Sequence, residues 1–208
     1  MLWLTRRVAS DEAKLRELRR SVENTKHEIY EKYRELLASE VGHLAMSWSV
    51  FEMLLDIVIG MIHRHGGKDV IRGSLPTSLK EKVTYLRKAP RVLSAVTHLE
   101  AETNAFAEKV QILKETRHDC LHGILLIDPE DFSIFSMRLR YNGAQVQTIG
   151  TQRTFKEVGL AVDATLALCQ AGAAIFGRFA EAFDDKEAIE THRQFENNVA
   201  SFAVKQRG

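Results

Sequence analysis

Apolar residues recur along the first third of the chain at helical spacing. From Asp11 to Glu40, the residues Leu15, Leu18, Val22, Ile29, Tyr33 and Leu36 share one stripe, and charges of both signs fill the other positions. Leu15, Val22, Ile29 and Leu36 repeat every seven residues, the pattern of a helix laid along another helix. Glu28 and Lys32 stand at the i,i+4 spacing that supports a solvated helical face. The helical pattern continues over 41–63. There Leu44, Trp48, Phe51, Leu55, Val58 and Ile62 form the apolar side, and Ser49, Glu52, Asp56 and His63 a narrower polar strip. Gly66 and Gly67 follow where a helix C-terminus favours glycine. A short helix is predicted over 77–89, with Leu79, Val83 and Leu86 inward and Pro90 as its stop. A long one follows over 92–122, with Leu99, Phe106, Val110 and Leu113 inward and Gly123 as C-cap.

Beyond Gly123 the period changes. Ile124 to Ile127 is a short apolar run, and Asp128-Pro129-Glu130-Asp131 turns the chain. Phe135, Met137, Leu139 and Tyr141 then alternate with Ser136, Arg138 and Arg140, which predicts a half-buried strand with its polar side in water. Asn142-Gly143 is a two-residue hairpin signal, and Val146 to Ile149 supplies the returning strand. Thr154 and Glu157 have the spacing of a capping box opening a long helix over 155–184. A final amphipathic helix is predicted over 186–203. No repeat, linker or low-complexity tract interrupts the chain. The expectation is one domain over residues 1–208, an all-α bundle with a small β-hairpin over 124–150 inserted after the fourth helix.

Charge and cysteine content narrow the options. The 208 residues carry 29 Lys and Arg against 28 Asp and Glu, a net charge of +1. This balance excludes a strongly basic nucleic-acid coat or an acidic tail, so any contact with nucleic acid must come from a local patch. Two cysteines, Cys120 and Cys169, are too few for a disulfide framework or a four-cysteine zinc site; both lie on apolar stripes and read as small core residues. No secretory signal follows Arg6 and Arg7. The apolar stretch Leu44–Ile62 contains Glu52 and Asp56, and a carboxylate at mid-membrane costs about 3 kcal/mol, so a buried helix is expected there. A reducing cytoplasm and no membrane are the corresponding expectations.

The densest cluster of reactive groups is Arg117-His118-Asp119-Cys120-Leu121-His122. Arg117 continues the apolar stripe of its helix, so a guanidinium stands where the pattern asks for an apolar side chain, and such rule-breaking positions tend to be functional. Three readings are open. In a structural one, Arg117 bridges to a carboxylate such as Glu52 or Asp56 and His122 complements the helix C-terminus. In a metal one, His118 and His122 share a helix face as in H-E-x-x-H proteases, but Asp119 replaces the Glu and His192 is the only later histidine. In the third, Arg117 holds a phosphate with its planar fork and a histidine moves a proton, which cleaves RNA by attack of its own 2′-hydroxyl. An ideal helix sets Arg117 and His122 about 140° apart, so two helices meeting at a two-fold axis would be needed to aim both at one phosphate. Among weaker candidates, His63 and His65 flank Arg64 beside two glycines in what reads as a surface loop. Arg138 and Arg140 share a strand face, either solvated or contacting an RNA backbone.

Arg117, the polar His118, three intervening residues and His122-Gly123 resemble the Arg-polar-x3-His signature of the HEPN superfamily (higher eukaryotes and prokaryotes nucleotide-binding domains). The segment Trp48-Ser49-Val50-Phe51-Glu52 is similar to a stretch in an early helix of many such proteins. The resemblance covers 41–123 and implies a helical bundle, here with the hairpin as an addition. It further implies a metal-independent endoribonuclease without cofactor, acting as a homodimer on RNA, as in toxins and antiphage effectors, with an antitoxin or inhibitor protein as a possible partner. The catalytic roles fall on Arg117, His122 and His118, although Asn or Asp is commoner than His at the position of His118. The rival from another class is a catalytically silent dimerisation or partner-binding module.

Overall fold

A computed structural model describes residues 2–142 and 145–205, with side chains described over 16–139 and 145–195 and at residue 197. The element order is α1 (Leu2–Ile62), a π turn (His63–Gly67), α2 (Lys68–Val70), α3 (Leu79–Val92), a 3-10 turn (Ser94–Leu99), α4 (Glu100–His122), β1 (Ile124–Ile127), β2 (Ile134–Asn142), β3 (Gln145–Arg153), α5 (Phe155–Ala182) and α6 (Lys186–Lys205). The chain is mostly helical, with five long helices and a three-stranded antiparallel sheet in the order β1-β2-β3.

Several expected boundaries shift. The first two helices are a single helix of 61 residues, because no glycine pair, proline or cap separates Glu40 from Val41. Gly66 adopts φ 105°, open to glycine at little cost, and turns the chain out of α1 through the π turn. Pro90 does not stop α3, which runs two residues further to Val92. Pro90 forgoes only the one bond to the Leu86 carbonyl, and Leu93 N–H closes the turn on the Ala89 carbonyl. The third helix opens on a capping box in which Ser78 and Glu81 satisfy each other's backbone N–H groups. Thr154 and Glu157 do the same for α5. The hairpin is a three-stranded sheet: the apolar run Ile124–Ile127 is itself an edge strand, with Ile124 opposite Met137 and Ile127 opposite Ile134. The tip of the turn after Asn142 lies outside the described residues.

The most extensive helix–helix contact is between α1 and α5. These are also the two helices long and apolar enough, by length and composition, to cross a membrane. Here their apolar residues form the core: Trp48, Phe51, Leu55, Val58 and Ile62 pack with Leu168, Phe176 and Phe179, joined by Leu86 of α3 and by Phe106 and Val110 of α4. A second cluster lies toward the sheet, where Leu37 and Leu44 of α1, Cys120 of α4, Ile134 of β2 and Val158 and Val162 of α5 meet.

The N-terminal half of α1 behaves differently. Leu18, Val22, Ile29 and Leu36 are 62, 54, 48 and 57 % exposed, so these described residues of the stripe are left largely in solvent. Among the described residues the body reaches α1 from about Tyr33 onward, a member of the stripe that packs on Phe132 and Phe155.

Candidate active site

The last two turns of α4 run between the two cores. Cys120 enters the sheet-side cluster, while Phe106 and Val110, earlier on the helix, belong to the main one. Arg117 lies over the indole of Trp48, with its guanidinium carbon 5.3 Å from the ring centroid. This contact explains how a guanidinium continues an apolar stripe: the aromatic face accepts the cation. Trp48 is itself fixed, donating its indole N–H to Glu52 Oε1 at 2.8 Å. The Nε of Arg117 is buried without a hydrogen-bond partner.

The expected bridge from Arg117 to Glu52 or Asp56 is not formed. Glu52 accepts from Trp48, and Asp56 pairs with Lys82 of α3 at 2.6 Å. Arg117 instead reaches along its own helix, and its Nη1 lies 2.7 Å from Nε2 of His122. A guanidinium has no acceptor, so Arg117 donates and the imidazole accepts on Nε2, which places the ring proton on Nδ1. The flexible stem of the arginine thus spans the angle between the two positions, and one helix suffices to bring both groups together.

His118 stands edge-on to His122, with ring centroids 4.8 Å apart. Its pKa is lowered below the ordinary imidazole value, chiefly by burial and then by the Arg138 guanidinium. His118 also lines a cleft of about 340 Å³ with Lys114, Glu115, Arg138 and Leu139. The cleft therefore carries two cations and one carboxylate beside an imidazole that favours its neutral form.

The sheet presents its faces in the opposite sense to the prediction. Ile134 and Ser136 are buried, and Arg138 is only 16 % exposed, while Phe135 and Leu139 are 43 and 57 % exposed. The cause is Asp119, whose carboxylate is 4 % exposed between two arginines of the sheet. Arg153 Nη2 donates to Oδ2 at 2.6 Å, and Arg138 Nε lies 2.9 Å from Oδ1, in ion-pair contact rather than an aligned hydrogen bond. Arg138 also donates to Glu115 at 2.8 Å. Arg138 is thus spent on carboxylates of α4 and is not a free cation for an RNA backbone; the side chain of Arg140 lies outside the described residues. Ser136 completes the docking by donating to the Asp119 carbonyl at 2.8 Å. Gly123, which follows the motif, is required by this close approach, because a Cβ there would run into that carbonyl and the Ser136 hydroxyl.

Sequence reasoning missed Asp119, Arg153 and Ser136. Arg153 precedes the α5 capping box and carried no periodic signal, and Asp119 was read only as a replacement for a protease glutamate. His63 and His65 are not in a free loop. His63 Nδ1 is 3.0 Å from the Tyr85 hydroxyl, and His65 Nε2 is 2.9 Å from Asp185 while its ring stacks on Phe183, which ties the end of α1 to the start of α6. Among the described residues no group of three His, Cys, Asp or Glu side chains is placed to hold a metal ion. Comparison of the chain with models of protein families, with curated proteins and with solved structures returns no match.

Proposed function

We propose that this chain is a metal-independent endoribonuclease of the HEPN type, working as a homodimer in the manner of a toxin or antiphage effector. The observation that carries the reading is the 2.7 Å contact between Arg117 and His122 at the end of α4, on residues with the Arg-polar-x3-His spacing. A permanent cation beside an imidazole is the minimum set for transesterification of an RNA phosphodiester. The incoming phosphate accepts from the guanidinium in place of His122, and this frees the Nε2 lone pair. That lone pair then takes the proton of the 2′-hydroxyl, whose oxygen attacks phosphorus. The bond to the 5′-oxygen breaks, the leaving oxygen takes up a proton, and a 2′,3′-cyclic phosphate remains. The proton that His122 takes from the 2′-hydroxyl is the one the leaving 5′-oxygen receives, neutral His118 beside it accepting from the His122 imidazolium and passing it on, and the cleft at Lys114 is the path along which the strand arrives. Asp119 and Trp48 are positioning residues: one fixes the sheet against the helix, the other supports the guanidinium.

The test is cleavage of total RNA in EDTA by wild-type protein and by Arg117→Ala and His122→Ala. Each variant should lose about 100-fold or more in rate, the scale of a missing acid-base or electrostatic partner. His122→Ala should stay folded, since His122 is exposed. If folded His122→Ala cleaves at the wild-type rate, the reading fails. The rival, a catalytically silent module, then takes its place, favoured by the net charge of only +1 and by the seating of Arg117 on Trp48.

A further inference from the structure

α1 has a second apolar face that the body leaves uncovered. Val22, Ile29, Leu36, Val50 and Ile57 fall on a seven-residue repeat in which His43 takes the place between Leu36 and Val50, and Leu18, Met46 and Met53 occupy the companion positions three or four residues away. Together they make one a/d seam from Leu18 to Ile57, roughly 60 Å long at helical rise. Seven of these side chains are 39 to 63 % exposed, including Met46 at 63 %, Val50 at 39 % and Met53 at 47 %; Ile57 is partly buried. The body-facing stripe Leu37, Leu44, Phe51 and Val58 is one residue on from the seam positions, about 100° further round the helix. A stripe kept to a period of 3.5 over this length drifts off a straight helix and stays in contact only with another helix that coils with it.

We propose that the occupant is a second copy of this chain, with the two α1 helices antiparallel and their two-fold axis close to residues 37 and 38. The inference stands on this helix face and not on the RNA-cleaving reading. In that register Leu18 meets Ile57 of the second copy, Val22 meets Met53 and Ile29 meets Met46. The polar seam residues Lys32, Ser39 and His43 then gather at the centre, where Lys32 faces His43, and matched polar positions of this kind fix register. Charge favours the same direction. The basic start of the arm, at Arg19 and Arg20, comes to the level of Glu52, Asp56 and Glu187, which line a groove of about 700 Å³ between α1 and α6. A parallel pair would lay the basic start against itself and set Glu35 beside Glu40 across the g–e flank. The exposed seam residues offer roughly 600 Å² of apolar surface per chain, so two seams approach the ~1,200–2,000 Å² of a specific interface. Trp48 and the Arg117 resting on it lie some ten residues from the axis, so this assembly keeps the two sites apart, roughly 30 Å along the helices.

The experiment uses the full chain. Light scattering at micromolar concentration should give twice the 23.6 kDa of one chain, and Met53→Asp, on an exposed position, should return the single-chain mass with an unchanged circular dichroism spectrum. Under mild oxidation the double variant Ile29→Cys with Met46→Cys should form a covalent dimer, whereas Ile29→Cys alone should not. A covalent dimer from Ile29→Cys alone overturns the antiparallel arrangement. A single-chain mass for the wild type overturns the proposal together with the homodimer of the functional reading, whereas a dimer that persists in Met53→Asp overturns this interface alone. Uptake of the monomer by anionic lipid vesicles that is lost in Met53→Asp also overturns the proposal and would assign the seam to a lipid surface.

Discussion

Replacing Asp119 by Asn keeps the volume and one acceptor oxygen but removes the charge between Arg138 and Arg153. All three side chains are largely buried, at 4, 16 and 19 % exposure. Arg138 keeps Glu115 as a partner, so Arg153 bears most of the loss. Removing one member of a buried ion pair costs about 3–5 kcal/mol, because the other charge stays desolvated and unpaired. The partial exposure of both arginines places this case at the lower end, about 3 kcal/mol. For a chain of this size that corresponds to a fall of roughly 6–12 °C in Tm. Urea unfolding followed by circular dichroism measures it, with the slope m unchanged if the fold persists. A double-mutant cycle with Arg153→Gln isolates the pair, and the two single losses should sum to more than the double. A loss below about 1 kcal/mol for Asp119→Asn would refute the reasoning, since that is the scale of an exposed ion pair.

Other consequences follow from the same contacts. The pKa of His118 in the folded protein lies below its unfolded value near 6.5, so the folded state binds fewer protons there. The stabilising contribution is present above pH 6.5 and is lost as pH falls through the folded pKa; NMR titration of the ring should find it below that of an exposed histidine, and His118→Asn should flatten this part of the stability profile. Trp48→Ala should destabilise by about 3–5 kcal/mol as a core truncation, whereas Trp48→Phe should retain most of the packing and chiefly lose the bond to Glu52. Burial lifts the Cys169 thiol to about 11, so a thiol reagent should label it in the native state far more slowly than in urea.

The helices were legible because apolar residues at 3.6 spacing and side-chain caps are local signals: Thr154 with Glu157, and the glycines after His63, mark real ends. The expected division of α1 at Glu40 had no such signal behind it, since nothing there breaks the helix. The sheet face was not. Alternation between Phe135, Met137, Leu139 and Ser136, Arg138 gives the period of a strand but not which side turns inward, and the deciding partner, Asp119, lies on another element. The pairing of Arg117 with His122 escaped a wheel-based argument because Cα directions do not limit a side chain as long as arginine. The heptad stripe of α1 predicts a second helix packed along it, and among the described residues Leu18, Val22, Ile29 and Leu36 stand exposed instead.

The most direct test of the chemistry is a pair of oligonucleotides differing in one atom. The first is an all-ribose strand containing a site cut by the protein; the second is the same strand with 2′-deoxyribose on the 5′ side of that bond. In EDTA the first should yield a 5′ fragment ending in a 2′,3′-cyclic phosphate, detected by mass spectrometry, and the second should remain intact at that bond. Cleavage of the deoxy-substituted strand at the same bond and rate would contradict the account, because its nucleophile would then not be the 2′-hydroxyl.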